Sequence, residues 1–455
     1  MLDIKLIREN PDIVRGDLIK RGELEKLKWI DEILELDKKW RENLRKINQL
    51  RRERNRIAVE IGKRKKAGES VDDLLAKSKE IVKQIEDIER ENEEIRKKID
   101  FYLWRLPNIT HESVPIGKDD TENVPIKFWG KARVWKGHLE SFLEQSQGKM
   151  EYEILEWKPK LHVDLLEILR GADFERAAKV SGSRFYYLLN EIVILDLALI
   201  RFALDKLIEK GFTPVIPPYM VRRYVEEGVT TFDDFENVIY KVEGEDLYLI
   251  PTAEHPLAGM HANEIIDGKD LPLLYVGVSP CFRKEAGTAG KDTKGIFRVH
   301  QFHKVEQFVY SRPEESWEWH EKLLQNAEEL FQELGIPYRV VNICTGDLGY
   351  VAAKKYDIEA WMPGQGKFRE VVSCSNCTDW QARRLNIRFR DKTHEKPKFV
   401  HTLNSTAIAT SRTIVAILEN FQEEDGTVKI PKALWKYTGF KEIVPADKKE
   451  KCCQG

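Results

Sequence analysis

Residues 281–310 read CFRKEAGTAGKDTKGIFRVHQFHKVEQFVY. Two apolar, aromatic-rich runs flank a glycine-rich, charged stretch. The first run ends on Arg283 and Glu285, and the second carries Arg298, His300, Lys304 and Glu306. β-Branched and aromatic residues interrupted by turn formers predict a strand, a loop and a second strand. Such a hairpin sets Arg283 near a mouth and turns Glu306 toward a pocket. Charges partly buried in a β-run are costly when unpaired, which favours a site over an ordinary surface hairpin. An arginine fork at that place is suited to bidentate contact with a phosphate.

The same period-two grammar extends outward through GFTPVIPPYMV (211–221), LYLIPTAEHP (247–256) and LPLLYVGVSP (271–280). Helical patterns fall at Val163–Leu169, Leu188–Leu207, Glu315–Leu334 and Ile408–Phe421. Strands and helices mix without regular βαβ spacing. The fold class expected is α+β, built on a mainly antiparallel sheet. Neither G-x-G-x-x-G nor G-x-x-x-x-G-K-[ST] occurs, so those two modes of nucleotide binding are unsupported.

Two further clusters carry chemistry. In FREVVSCSNCTDWQARR (368–384), Glu370 and Ser373 offer oxygen ligands suited to a hard cation such as Mg²⁺. Cys374 and Cys377 form one C-x-x-C without a neighbouring pair, so buried inert thiols are favoured over zinc ligands. In HTLNSTAIATSRTIVAILENFQ (401–422), Asn404 and Thr406 end an apolar run, and Arg412 sits on an apolar helix. Such an arginine serves either as an ion-pair partner in the fold or as a phosphate clamp. His300, His303 and His401 read as scaffold, and no covalent triad assembles. Chemistry on a polyphosphate needs positioned cations and a metal rather than a nucleophilic side chain.

The N-terminal region has a different grammar. Ile33, Leu36, Trp40, Ile47, Leu50, Ile57 and Ile61 fit one heptad seam, with Asn43 and Arg54 in its two empty slots. Ile81, Ile85, Ile88, Ile95 and Ile99 repeat the pattern around Asn92. With a break near Gly62–Ser70, this predicts an antiparallel coiled-coil hairpin over about residues 26–100. At 1.5 Å per residue, a helix of about 38 residues would reach about 57 Å as a projecting arm. Between Lys38 and Lys66 stand 13 basic residues against three glutamates, whereas 67–100 holds seven basic against eleven acidic. That asymmetry is either a solvated coiled-coil face or, through Lys63, Arg64, Lys65 and Lys66, a surface for phosphates.

The whole chain has 455 residues, a formal net charge of −2 and six cysteines. Its length suggests more than one domain. The cysteines are too few for a disulfide framework, the first residues lack a signal-peptide pattern, and no window approaches 18 charge-free apolar residues. A cytoplasmic location and no membrane are expected.

The clusters together resemble the signature motifs of class II aminoacyl-tRNA synthetases, specifically the seryl enzymes. GFTPVIPPYMV, with Pro218, resembles motif 1; Arg283–Glu306 resembles motif 2; and Leu403 through Arg412 resembles motif 3. Thr252-Ala253-Glu254 is similar to the family's serine-binding loop, and Glu370–Arg384 is also seryl-like. The resemblance spans nearly the whole chain. It implies a six- to seven-stranded antiparallel sheet flanked by helices, a tRNA-binding arm in residues 1–110 and a catalytic domain in 111–455.

The resemblance also implies roles. Thr252 and Glu254 hold the serine ammonium in a serine-binding loop that includes Ala253, and Arg283 binds the serine carboxylate and α-phosphate. Glu306, Asn404 and Thr406 line the side-chain pocket. Lys284, Glu285, Val299, Val371 and Val372 belong to the ATP site. Glu370 and Ser373 hold Mg²⁺, and Arg412 holds the γ-phosphate. The implied partners are ATP, L-serine, tRNA(Ser), tRNA(Sec) where one exists, and a second copy joined through motif 1. The hairpin and the Thr-Ala-Glu loop point to the zinc-free branch. After Arg412 there are 43 residues, fewer than the C-terminal anticodon-binding domain of related enzymes requires. The rivals are a docking protein that has lost activity, which would need broken ATP motifs, and a paralogue that uses another amino acid or another carrier.

Overall fold

The computed structural model describes residues 1–231, 238–285, 292 and 294–448. Most of the glycine-rich part of the 281–310 stretch (286–291 and 293), together with Cys452 and Cys453, lies outside the described residues. The chain divides into two compact units, Met1–Ile109 and Thr110–Gly455.

The first unit is dominated by α1 (Leu27–Ala67) and α2 (Asp72–Leu103). Partners descend along α2 as positions ascend along α1. Lys39 meets Glu91 at 2.6 Å, Arg51 meets Glu89 at 2.7 Å, Glu53 meets Lys77 at 2.7 Å and Arg64 meets Asp73 at 3.2 Å. Between them Ile33, Ile47 and Ile57 of α1 and Ile81, Ile85, Ile95 and Ile99 of α2 are buried. Two of the empty heptad slots face each other: the Asn43 amide donates to Asn92 Oδ1 at 3.0 Å, and the Asn92 amide donates to the Trp40 carbonyl at 3.5 Å. A polar pair set in an apolar seam, with Asn92 buried and Asn43 half-buried, is satisfied only in register, so it selects one alignment. Arg54, in the third slot, is exposed.

The break expected at Gly62–Ser70 is shorter than the sequence suggests. The helix continues through Gly62, and the connection is confined to residues 68–71. Gly68 has φ 75°, and the N–H groups of Gly68 and Glu69 return to the carbonyls of Lys65 (3.3 Å) and Arg64 (3.0 Å). That left-handed closure is where glycine is required. Gly62 in a helix interior costs only about 1 kcal/mol relative to alanine, too little to end so long a helix. Lys63–Lys66 therefore occupy the end of α1, where cations meet the negative pole of the helix dipole.

In chain order the second unit gives β1 (Val124–Trp129), α3 (Glu191–Glu209), β2 (Thr213–Val215), α4 (Arg223–Val229), α5 (Glu254–Gly259) and β3 (Leu273–Phe282). Then follow β4 (Gln301–Ser311), α6 (Ser316–Leu334), β5 (Tyr338–Asn342), β6 (Lys354–Met362), β7 (Lys367–Asn376), α7 (Trp380–Leu385), β8 (His401–Ala409) and α8 (Thr410–Asn420), with shorter pieces between. Among the described residues the main sheet has eight strands, ordered β1-β5-β6-β7-β8-β4-β3-β2. Neighbours are antiparallel except β2, which runs parallel to β3. The count exceeds the six or seven expected because two edge strands are weakly marked. β1 has no buried residue and pairs with β5 through a bulge. The three-residue β2 lies inside the 211–221 run but is too short to stand out from it as a separate strand.

Helices α3, α6 and α8 bury residues such as Leu195, Leu199, Leu323, Leu330 and Ile414 against Val276, Val305, Val309 and Ile358 of the sheet. The helix expected from Ile408 starts at Thr410. Ile408 is still a strand residue, paired with Val305. Leu197 of α3 and, beyond β2, Ile216, Met220 and Tyr224 are exposed apolar residues.

 Two bulges, at Val305/Glu306 in the β4–β8 pairing and at Ile358/Glu359 in the β6–β7 pairing, shift the register beside residues the sequence singled out. Bulges of this kind re-aim the side chains next to them.

Candidate active site

A cavity of about 330 Å³ opens on the central strands of the second unit. On its β4–β8 side, Glu306 lies opposite Thr406, whose hydroxyl donates to Glu306 Oε2 at 3.4 Å. Lys304 Nζ sits 2.6 Å from the same oxygen, and both members of that pair are buried. Burial pushes the Glu306 carboxyl up, and Lys304 offsets only part of the rise. Asn404, two residues before Thr406, also lines the cavity, with its amide 3.6 Å from Cys377 Sγ.

On the β7 side, Glu370 and Ser373 line the cavity, and Arg412 of α8 reaches Glu370 Oε1 at 3.2 Å. Burial pushes the Glu370 carboxyl up, but Arg412, Lys355 and Arg283 outweigh it, and the group is held below its ordinary value. Arg283 follows β3, and its Nε donates to the Pro251 carbonyl at 3.2 Å. Its own carbonyl lies 2.7 Å from His300 Nδ1, which gives that histidine a scaffold role. His303 meets Asp196 at 2.8 Å and His401 meets Ser316 at 2.8 Å, also away from the cavity lining.

The Thr252–Glu254 loop closes another wall. Thr252 Oγ1 accepts from the Glu254 N–H at 3.1 Å as α5 begins, and both residues line the cavity. Ala253 does not: it is buried behind them, where a Cβ added at Gly277 would come within 2.8 Å of its methyl and 2.9 Å of Leu257. Val371 lines the cavity, whereas Val372 and Val299 are buried in the core beneath. Lys284 and Glu285 lie beyond Arg283, and Glu285 pairs with Arg298 at 3.0 Å. Lys63–Lys66 belong to the first unit.

Several residues had no assigned role in the sequence. Phe297 holds the Arg369 guanidinium 3.8 Å and that of Arg412 5.1 Å from its ring centroid. Asp357 is buried opposite Ser373, with its carboxyl raised by burial. Gln381 donates to Glu254 Oε1 at 2.8 Å. An aromatic residue directly before Arg298 was the one signal for Phe297. Asp357 and Gln381 become meaningful only once distant strands and helices meet.

Comparison with known proteins follows the same division. Residues 1–110 match the family model described as Seryl-tRNA synthetase N-terminal domain, and residues 238–421 match that described as tRNA synthetase class II core domain (G, H, P, S and T). The chain is 87% identical over 455 residues to a serine–tRNA ligase of Thermococcus onnurineus, covering all of both chains. The chain belongs to the seryl-tRNA synthetase family. Among solved structures of seryl-tRNA synthetases, that of Pyrococcus horikoshii, complexed with ATP, has a TM-score of 0.96 at 86% identity and covers 98% of this chain and 100% of its own. The cytoplasmic serine–tRNA ligase of Naegleria fowleri, in complex with AMP, has a TM-score of 0.85 at 37% identity, covering 98% and 99%.

A seryl-tRNA synthetase cavity must accommodate polyphosphate, and the donors here suit its usual counter-ion. Mg²⁺ takes one or two carboxylates, substrate phosphates and waters. Glu370 offers an ionised carboxylate and Ser373 a hydroxyl, both hard oxygen donors on one strand. Beside them the buried Asp357 Oδ1 has no hydrogen-bond partner among the described residues. Cys374 and Cys377 are buried thiols, each pushed up by burial. Among the described residues, no group of three or more His, Cys, Asp or Glu is arranged to hold a metal ion.

Proposed function

We propose that the chain activates L-serine with ATP and transfers it to tRNA(Ser), and to tRNA(Sec) where one exists. One observation carries the reading: a single cavity brings together the Thr252–Glu254 loop, Arg283, the Glu306–Thr406 pair, Glu370 with Ser373, and Arg412. These groups match serine at one end and triphosphate at the other.

Glu254 and Thr252 take the serine ammonium, with Ala253 shaping the loop from behind. Glu306, Thr406 and Asn404 face the hydroxyl. Arg283 steers the serine carboxylate toward the α-phosphorus, Lys284, Glu285 and Val299 border the adenosine, and Phe297 offers it an aromatic face. Glu370 and Ser373 would hold Mg²⁺, backed by Val371 and Val372, while Arg412 takes the γ-phosphate. A serine carboxylate oxygen bonds to the α-phosphorus, the bond to pyrophosphate breaks, and seryl-adenylate remains. Bound Mg²⁺ supplies charge compensation on the phosphate oxygens. Arg283 and Arg412 stabilise the same redistribution from fixed positions, so no reorganisation is needed as charge develops. A terminal hydroxyl of the tRNA then attacks the adenylate carbonyl and AMP leaves.

We assign residues 1–110 as the tRNA-binding arm, an antiparallel coiled-coil hairpin formed by α1 and α2, and 111–455 as the catalytic domain. Lys63, Arg64, Lys65 and Lys66 contribute phosphate contacts at its end. The exposed apolar residues of α3 and of 216–224 support a homodimer through motif 1. Consumption of ATP and tRNA fits a cytoplasmic enzyme.

ATP–pyrophosphate exchange with each of the twenty amino acids tests the reading. Serine should support exchange far above the rest, with Mg²⁺ and without added zinc. Exchange with a different amino acid would favour the paralogue, and none at all would favour a docking protein.

A further inference from the structure

The proposed roles leave one side chain behind Glu254 unused. Gln381, the second residue of α7, is fully buried. Its amide nitrogen donates to Glu254 Oε1 at 2.8 Å and to the Val229 carbonyl at 3.3 Å. Its carbonyl oxygen accepts from the Thr402 hydroxyl at 2.6 Å. A flipped amide would set oxygen against the Glu254 carboxylate and the Val229 carbonyl, and would leave the Thr402 hydroxyl without its acceptor. Three partners therefore select one orientation.

The partners come from three elements. Glu254 opens α5, Val229 ends α4, and Thr402 lies in β8. One turn further along α7, Arg384 donates to the carbonyls of Glu227 (2.7 Å) and Thr230 (2.8 Å). Helix α7 thus satisfies carbonyls that the last turn of α4 would otherwise leave open. The two helices also touch closely, since a Cβ added at Gly228 would come within 2.3 Å of Leu385 Cδ2. Val229 and Thr230 line the cavity on the far side of this clamp.

The chemistry of the donor matters. A lysine or arginine in this place would pair with Glu254 and compete with a bound ammonium for its charge. A neutral amide orients the carboxylate and leaves that charge for the substrate. We infer that Gln381 is a positioning residue for serine recognition, holding Glu254 in register with the end of α4. The inference rests on the assignment of Glu254 to the serine ammonium.

The test uses the full chain in ATP–pyrophosphate exchange, with Gln381→Met, Glu254→Gln and the double variant. Gln381→Met should raise the serine KM by about tenfold, because a small displacement of a substrate-holding group is costly. The ATP KM should stay within about twofold, and the double variant should be no worse than Glu254→Gln alone, since both changes act on one interaction. Losses that multiply, or serine and ATP KM rising together, would overturn the inference. An unchanged serine KM in Glu254→Gln would instead sink the ammonium assignment and the inference with it. If Gln381→Met does not fold, Thr402→Val frees the amide to turn. It should raise the serine KM by about threefold, the effect of one modest hydrogen bond, and an unchanged KM in folded protein would overturn the inference.

Discussion

Lys39 and Glu91 on the hairpin are 56% and 42% exposed, whereas Lys304 and Glu306 in the cavity are 7% and 2% exposed. The same pairing of lysine with glutamate has different consequences in the two places. In solvent such a pair contributes about 0–1 kcal/mol, is screened by salt, and leaves each charge replaceable. Under burial, loss of one partner strands the other and costs about 3–5 kcal/mol. Charges on α1 and α2 therefore act as a field, in which number and sign matter more than any one position. Charges around the cavity stand in close pairs, Lys304 with Glu306 and Arg412 with Glu370, so each position matters by itself.

Arg412→Ala should break this contrast most visibly. With its guanidinium gone, the kcat for pyrophosphate exchange should fall by about 10²–10³, the usual cost of a fixed charge-stabilising donor. A loss below about tenfold in steady-state exchange would put cavity charges in the same regime as those of the hairpin. The converse experiment replaces Lys63, Lys65 and Lys66 together with alanine. Serine activation should be untouched, while tRNA binding weakens by at least about tenfold and its salt dependence flattens by about two to three counter-ions. Filter binding across a salt series checks this, and an unchanged slope would remove these residues from the RNA surface.

A smaller effect separates selection from shape at the serine end. Thr406→Ala removes a buried hydroxyl, so serine should lose more than alanine, and the ratio of their kcat/KM values should fall by about tenfold. Parallel losses for both amino acids would leave Thr406 a structural role only. The smallest effect belongs to the hairpin. A Cβ added at Gly62 meets nothing within 4 Å. Gly62→Ala should therefore stabilise the protein by about 1 kcal/mol in thermal unfolding, and destabilisation would contradict helical continuity at that position.

The parts legible in the sequence were those carried by a repeating local period or by a compact motif. The seam from Ile33 to Ile99 repeats often enough that single exceptions, such as Arg54, do not hide it. Gly62 misled because a glycine signals a break by local propensity, while a helix of this length is decided by the turns and packing on either side. β1 was hidden because an exposed edge strand has no apolar alternation to read. The strand course at Ile408 was ambiguous because a short apolar run suits both strand and helix. Gln381 stands 127 positions from Glu254, and no local pattern announces a hydrogen bond across that separation. Its role follows from topology alone.

The contact between Gly277 and Ala253 sets a rule for redesign. Any side chain added at 277 presses on Ala253 and Leu257, and through them on the loop carrying Thr252 and Glu254. The floor under the Thr252–Glu254 loop is therefore closed to enlargement, and even one methyl there would be felt as overpacking. The β8 wall, with Asn404 and Thr406 in the cavity lining, does not carry that constraint. A library aimed at new substrates would keep 253 and 277 fixed and vary 404 and 406, where a change in volume leaves the loop's support in place.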